Sequence, residues 1–278
     1  MPVIQTANVD ATGVDILSNY VQQVLVESAV LIPSILDRSP EAQKGVKTID
    51  IGRRSKLTAE TKSEMVDYTS QSFTWDVDEL AINLQEGVYV KMTKKADRST
   101  VLNQEPEILQ ASAQALIDAL EVRVRNSLKA VHASNIMAFG TPDKIALADI
   151  LKARKTLRKA NVPFDGNIFL AISPDQEADL LALEQFIDAS RYGSTMALQN
   201  GELGQIYGVR ILITTNIEAS TAVMYHRTHS VFARSGEVSF EKSRILASSS
   251  SEYLLETFFG LKTLDLGKRG VLLNNSGT

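Results

Sequence analysis

Two histidines three positions apart, His226 and His229, are the side chains whose type and spacing most invite chemistry in this sequence. Imidazole ligates zinc or acts as a base, and a spacing of three turns two rings to one coordinating face only on a helix. Here they sit in Ala222-Val223-Met224-Tyr225-His226-Arg227-Thr228-His229-Ser230, between two strand-like runs, which places the pair in a turn. Catalytic zinc takes three protein ligands, and no glutamate follows in a zincin pattern. Two readings stand: an α/β metal-dependent enzyme using His226 and His229, and a turn held by imidazole hydrogen bonds, which needs no missing ligand. Asp76, Asp78 and Glu79 offer carboxylates for acid–base work. Alternation sets Asp76 and Asp78 on one polar strand face without pocket-forming neighbours, so a solvated face or an ion pair to another chain accounts for them better. Gly201-Glu202-Leu203-Gly204-Gln205-Ile206-Tyr207-Gly208 is glycine-rich, yet it lacks the Gly-Lys-Ser/Thr end of a phosphate loop and precedes a strand. Its glycines are expected in turns. No nucleophile, base and orienting group can be assembled from these residues. No catalytic residue, cofactor-binding residue or metal ligand is therefore assigned, and no cofactor is expected.

The elements that would position such residues are well marked in the middle third. Leu147, Ile150, Leu151, Leu157 and Ala160 recur at helical spacing, while Lys152, Arg154, Lys155, Arg158 and Lys159 crowd the C-terminal half, where cations suit the helix dipole. Asn161 suits the left-handed conformation that ends a helix, and Pro163 cannot continue one. The apolar run Ile168-Phe169-Leu170-Ala171-Ile172 reads as a strand. Ser173 is an N-cap, Pro174 fits the first helical position, and Gln176 completes a capping box. A second strand signal follows in Tyr207-Gly208-Val209-Arg210-Ile211-Leu212-Ile213, ahead of Thr214-Thr215-Asn216.

Around this core the pattern changes twice. Ile49 and Ile51, then Phe73, Trp75 and Val77, then Leu80, Ile82 and Leu84 alternate with polar residues, and the phase slips at Asp78-Glu79, which predicts a β-bulge. Trp75 reads as a packing anchor. The polar stretch from Arg53 to Ser72 is long for a connection inside a compact domain. Leu109, Ala113, Leu116, Ile117, Leu120, Val124, Leu128 and Val131 form the stripe of a helix over Glu107 to Val131, a rod of roughly 37 Å. Glu121 and Arg125 read as a surface pair on it, and His132 as a partner for its last carbonyls. Tyr253 to Leu266 is rich in β-formers, and Gly267-Lys268-Arg269-Gly270 separates it from Val271-Leu272-Leu273.

Composition bounds the function. The 278 residues are 44% hydrophobic and 22% charged, as in a folded globular protein. A net charge of -4 argues against broad charge-driven nucleic-acid binding, leaving only local basic patches such as Lys152 to Lys159. Without cysteine there are no disulfides, thiol catalysis or thiolate metal sites, which suits a reducing cytoplasm. The start lacks a charged region before an apolar one, and no apolar run approaches the ~20 residues of a membrane helix. A soluble, unsecreted chain without membrane contact is expected.

The order of Val162-Pro163, the following strand, Ser173-Pro174-Asp175, Asn200-Gly201, and Tyr207-Gly208-Val209 with its strand and Asn216 resembles the axial domain of tailed-bacteriophage major capsid proteins of the Hong Kong 97-like fold. Weaker likeness runs from about Leu17 to Leu273. The resemblance implies an α+β capsid fold divided into an N-terminal arm (1–45), an extended β-hairpin arm (46–95), a peripheral domain with a spine helix on a β-sheet (96–140), an inserted axial domain (141–235) and a return to the discontinuous peripheral domain (236–278). It puts the loop from Ala189 to Leu203 near the centre of a capsomer. The implied function is structural: pentamers and hexamers closing an icosahedral shell around double-stranded DNA, which is contacted non-specifically. Scaffold, portal and decoration proteins are the implied partners, the virion capsid the location, and the host bacterial cytoplasm the place of assembly. An encapsulin-type compartment shell shares the fold and is the alternative. Some relatives bond arm lysines covalently to asparagines of neighbours; Lys56 and Lys62 lie in the arm here, and no such bond is assigned to them.

Overall fold

The computed structural model describes residues 29–99, 104–182 and 205–276. Its helices are α1 (Lys94–Ser99), α2 (Gln104–Lys129), α3 (Leu147–Lys159) and α4 (Pro174–Leu181). The strands are β1 (Leu36–Asp37), β2 (Thr48–Arg54), β3 (Trp75–Ala81), β4 (Leu84–Thr93), β5 (Ile136–Ala138), β6 (Ile168–Ile172), β7 (Gln205–Ile206), β8 (Val209–Ile213), β9 (Thr221–His226), β10 (Ser230–Ile245), β11 (Ser250–Thr263) and β12 (Gly270–Asn274). They form a four-stranded sheet in the order β1-β10-β11-β4, a six-stranded sheet in the order β5-β12-β9-β6-β8-β7, and a two-stranded ladder of β2 and β3.

The stripe predicted for α2 is buried from Leu109 to Leu128, while Val131 lies half-buried past the helix end at Lys129, and the helix packs on β4 and β11. Leu109, Leu116, Leu120 and Leu128 meet Phe240, Tyr253, Leu255 and Phe259 from the four-stranded sheet. Burying side chains of this size contributes about 1.5–3 kcal/mol each. The six-stranded sheet is covered on both faces, as the unbroken apolar run of β6 requires. Phe169 and Ala171 join the core under α2, while Ile168, Leu170 and Ile172 join a second core with Ile150, Ala153 and Leu157 of α3. The strict side-chain alternation of one strand thus links two cores.

The marked helix ends form as read. Asn161 has a φ of 56° just beyond α3. Ser173 Oγ accepts from the Gln176 amide at 3.4 Å, and Gln176 Oε1 accepts from the Ser173 amide at 3.3 Å. Gln176 Nε2 also donates to the Ala219 carbonyl at 2.8 Å, which pins α4 to the turn before β9.

Three local expectations need correction. The β2–β3 ladder runs from Thr48 opposite Ala81 to Arg54 opposite Trp75 without a shift, so there is no bulge at Asp78-Glu79. The two apolar sets simply face opposite sides: Leu80 is fully buried, while Trp75 is 60% exposed and Val77 56%. Leu84, taken as the third member of the pattern, begins β4 in the four-stranded sheet. Among the described strands, a register shift lies in β10, between Ser235 and Ser239. Trp75 is therefore no internal anchor; it lies over Gly52, where an added Cβ would meet the indole at 3.4 Å. Glu121 and Arg125 do not pair on the surface either. Glu121 is buried, and Arg125 donates to the Asn216 carbonyl at 2.9 Å.

Candidate functional site

His226 and His229 are brought to one short turn but are given different partners. In the turn after β9, His226 Nδ1 accepts from the Thr228 amide at 3.2 Å, so its Nε2 carries the proton and donates to Asp165 Oδ1 at 3.2 Å. Asp165, which also accepts from Asn167, is held down to about 2 by those Asn167 bonds first and by His226 second. His229 is fully buried and donates through Nε2 to the Leu128 carbonyl at 3.2 Å. Burial is the main cause that pushes its pKa down to about 4. These are the contacts of a hydrogen-bonded turn. Among the described residues no group of three or more His, Cys, Asp or Glu side chains could hold a metal ion.

The other sequence candidates resolve separately. His132 does not reach the carbonyls of α2; its Nδ1 accepts from the Ser134 amide at 3.3 Å and caps the next turn, because the chain bends away after Lys129. Tyr207 and Gly208 make the left-handed turn between β7 and β8, with φ of 50° and 77°. Gly201 to Gly204, Asn200 and the loop from Ala189 to Leu203 lie outside the described residues, as do positions 1–28 of the N-terminal segment. Lys62 Nζ stands 5.1 Å from the Tyr68 ring centroid. No helix among the described residues is long and apolar enough to cross a membrane.

Asp76 and Asp78 belong to an ionic clasp that sequence reasoning missed. Arg53 on β2 reaches Asp76 at 3.4 Å, Asp78 at 3.9 Å, and Asp265 in the turn between β11 and β12. Asp78 Oδ2 in turn accepts from the Asp265 amide at 3.1 Å, and Arg269 Nε lies 3.6 Å from Asp265. That turn is unusual: Asp265 and Leu266 take φ of 53° and 51° ahead of Gly267 at 74°. Left-handed backbone is costly for residues with a Cβ, and the clasp holds it. The base of the β2–β3 hairpin is thereby tied to the body.

Beyond its base the hairpin stands out with an apolar surface. Leu57 is 52% exposed, Met65 99%, Val66 56%, Tyr68 66% and Phe73 49%. Phe73 meets Trp75 edge to face at 5.6 Å, and both rings stay about half exposed. So much exposed apolar surface on one hairpin makes it the candidate contact surface of the described residues.

The described part of the N-terminal segment lies on the body. Leu31 and Ile35 are fully buried. Glu121 on α2 accepts from the Leu31 amide at 2.9 Å and the Ile32 amide at 3.2 Å, and burial raises its pKa. Ser34 Oγ lies 2.5 Å from the Tyr225 hydroxyl, and Arg227 Nε donates to the Ile35 carbonyl at 3.3 Å. The sequence signal for Glu121 was its place on the apolar stripe. Among the described residues, this arrangement is one of hydrogen bonds and packing.

A family model described as phage capsid protein matches residues 78–241. No curated protein sequence matches this one significantly. Among solved structures, the chain is similar to one titled Mycobacterium phage Che8, at 20% identity and a TM-score of 0.74, over 90% of this chain and 93% of that one. It is similar to the capsid structure of the cyanophage P-SCSP1u at 10% identity and a TM-score of 0.69, over 87% of this chain and 86% of that one. A virus-like particle from Pyrococcus furiosus aligns at 11% identity and a TM-score of 0.60, over 94% of this chain and 98% of that one. At such identities the likeness is one of fold.

Proposed function

The chain belongs to the phage capsid protein family, and on that premise we propose that its copies gather as pentamers and hexamers and close around double-stranded DNA. It is a structural protein with an α+β capsid fold of the Hong Kong 97-like kind, self-assembling into an icosahedral shell, and it is not an enzyme. His226 and His229 accordingly serve the fold. The observation that carries the finer proposal is the apolar hairpin projecting from a body whose own cores are already filled. A projection with half-exposed aromatic and aliphatic side chains gains stability only when a neighbour covers it.

In this proposal the hairpin within residues 46–95 reaches over an adjacent subunit from its stem at β2 and β3, while β4 at the end of that range stays in the four-stranded sheet, and residues 1–45 form an N-terminal arm whose described part is docked on the body. The peripheral domain is built from 96–140 and 236–278, and 141–235 is the axial domain at capsomer centres. The packing of α2 on β11 supports the first of these bodies and the core around α3 the other, with β5 and β12 from the peripheral ranges completing the six-stranded sheet. The chain is placed in the virion capsid, assembled in the host bacterial cytoplasm with scaffold and portal proteins and joined by decoration proteins. Its weakly acidic balance limits sticking to the packaged DNA, which it contacts without sequence preference.

Negative-stain microscopy of the purified full chain, alone and with its scaffold, tests this. Closed particles with five- and six-fold clusters are expected, and their contents should be nucleic acid. A persistent monomer under every assembly condition would overturn the reading. Replacing 56–72 by a short flexible linker should leave a folded protein with an unchanged far-ultraviolet spectrum while suppressing shells; undiminished assembly would count against the hairpin as a contact arm.

A further inference from the structure

One face of α3 carries charges that have no ion-pair partner among the described residues. Leu151, Arg154, Lys155, Arg158 and Lys159 follow the i, i+3, i+4, i+7, i+8 spacing of a single helix face and line a shallow surface groove. The opposite face is buried in the second core, so this one looks outward. The helix dipole accounts for cations in the last turn, Arg158 and Lys159, but not for Arg154 and Lys155 one turn earlier. The guanidinium groups of Arg158 and Arg154 lie 4.4 Å and 5.3 Å from the Phe164 ring centroid. Stacking of this kind fixes the plane of a guanidinium while leaving N–H edges for an anion. Arg154 Nε is buried and has no hydrogen-bond partner. Leu151, 43% exposed, adds an apolar element to the face.

The complementary charges stand on α4. Asp175 is exposed and Asp179 half-buried, one turn apart with the small exposed Ala178 beside them, while Gln176 and Leu180 are buried. Among the described residues, neither these carboxylates nor the four cations of α3 have an ion-pair partner, whereas Lys152 on the same helix pairs with Asp149 at 3.2 Å. Leu157 of α3 and Leu180 of α4 enter the same core, so both helices cover the same side of the six-stranded sheet. They sit at different places across it. Helix α3 packs on β12, and α4 leaves from the end of β6, two strands further along the order.

We infer that the basic face of α3 in one copy docks against the acidic face of α4 in a second copy, a head-to-tail contact between neighbours around a ring. A heterologous contact of this kind needs two different, complementary patches on one chain. Opposite charges fix its register and penalise the reversed approach. The inference rests on the reading of this chain as a shell subunit. A nucleic-acid backbone would answer the cations as well, but it gives neither Leu151 nor the carboxylates of α4 a partner.

Charge reversal in the full-length chain tests the contact. Lys155→Glu with Lys159→Glu, and separately Asp175→Lys with Asp179→Lys, should each leave a folded monomer while lowering the yield of rings and shells at least about tenfold by sedimentation and microscopy. Combining all four reversals restores opposite charge across the contact and should recover most of the yield. Should a reversal fail to fold, Lys155→Gln with Lys159→Gln replaces it, with a smaller loss expected and the same need for ring yield to fall. Normal assembly by either single-face variant, or no recovery in a folded four-fold variant, overturns the inference. So does a basic-face variant that builds normal shells lacking only nucleic acid. If the parent chain itself never assembles, the shell reading fails first and this contact falls with it.

Discussion

His229 is fully buried with its Nε2 proton given to the Leu128 carbonyl, and burial lowers its pKa from 6.5 to about 4. The unfolded chain therefore binds a proton that the folded chain refuses between those two values. Stability from this group is fully present above pH 6.5 and is lost as pH falls toward 4, at up to about 1.4 kcal/mol per pH unit. Glu121 runs the other way, since burial raises its folded pKa above the usual 4.5 and it takes up a proton in the fold first. The informative quantity is thus the difference between parent and variant. His229→Gln, which keeps a donor for Leu128, should show a shallower loss of urea stability from pH 7 to pH 5 than the parent; parallel profiles would mean the imidazole is not held neutral. Glu121 was legible as an inward residue, because it lies four positions after Ile117 and three before Val124 on the buried stripe. Its i, i+4 spacing to Arg125 suggested the surface pair instead. The backbone amides it serves, at Leu31 and Ile32, are some ninety positions away, and no local pattern announces such a partner.

Among the elements, the helices and strands with strong periodicity were legible, and so were their ends, because the caps are local chemistry: Asn161, Ser173 and Gln176 act on backbone within a few residues. The hairpin was legible as alternation but not in its orientation. Period-two patterning predicts which residues share a face, and it assumes that the apolar face is buried in the same chain. Trp75 and Val77 break that assumption, which is why an unneeded bulge was inferred to bring them inward. The clasp at the hairpin base was not legible, since Arg53 and Asp265 stand 212 positions apart. Arg53 neutralises three carboxylates that otherwise crowd one another, Asp76, Asp78 and Asp265. Arg53→Ala should therefore lower stability by about 1–2 kcal/mol, more than a surface pair would contribute. The residual repulsion is electrostatic, so raising salt toward 1 M should shrink the gap between variant and parent. Urea titrations at low and high salt measure both, and a salt-independent loss would assign the effect to packing of the arginine stem instead.

At the scale of the whole molecule, the two cores are mechanically one unit because β6 and its neighbours serve both. Phe169, Ala171, Val223 and Tyr225 face the core under α2, while Ile168, Leu170, Ala222 and Met224 face the core under α3. Neither core can lose its sheet wall without exposing the other. The C-terminal strand adds a second link, for β11 pairs in the four-stranded sheet while β12, a few residues later, pairs with β5 and β9 in the six-stranded one. A shell subunit benefits from such coupling, since strain entering at one core is shared by the other. The consequence is a single cooperative unfolding transition for the unassembled chain, despite its separate cores. Leu116→Ala empties space beside the four-stranded sheet and Leu170→Ala beside α3, each at a cost of about 2–5 kcal/mol. Both should move one and the same calorimetric peak, keeping calorimetric and van't Hoff enthalpies equal. Two resolved peaks, with each substitution shifting only its own, would show that the shared strands do not couple the cores.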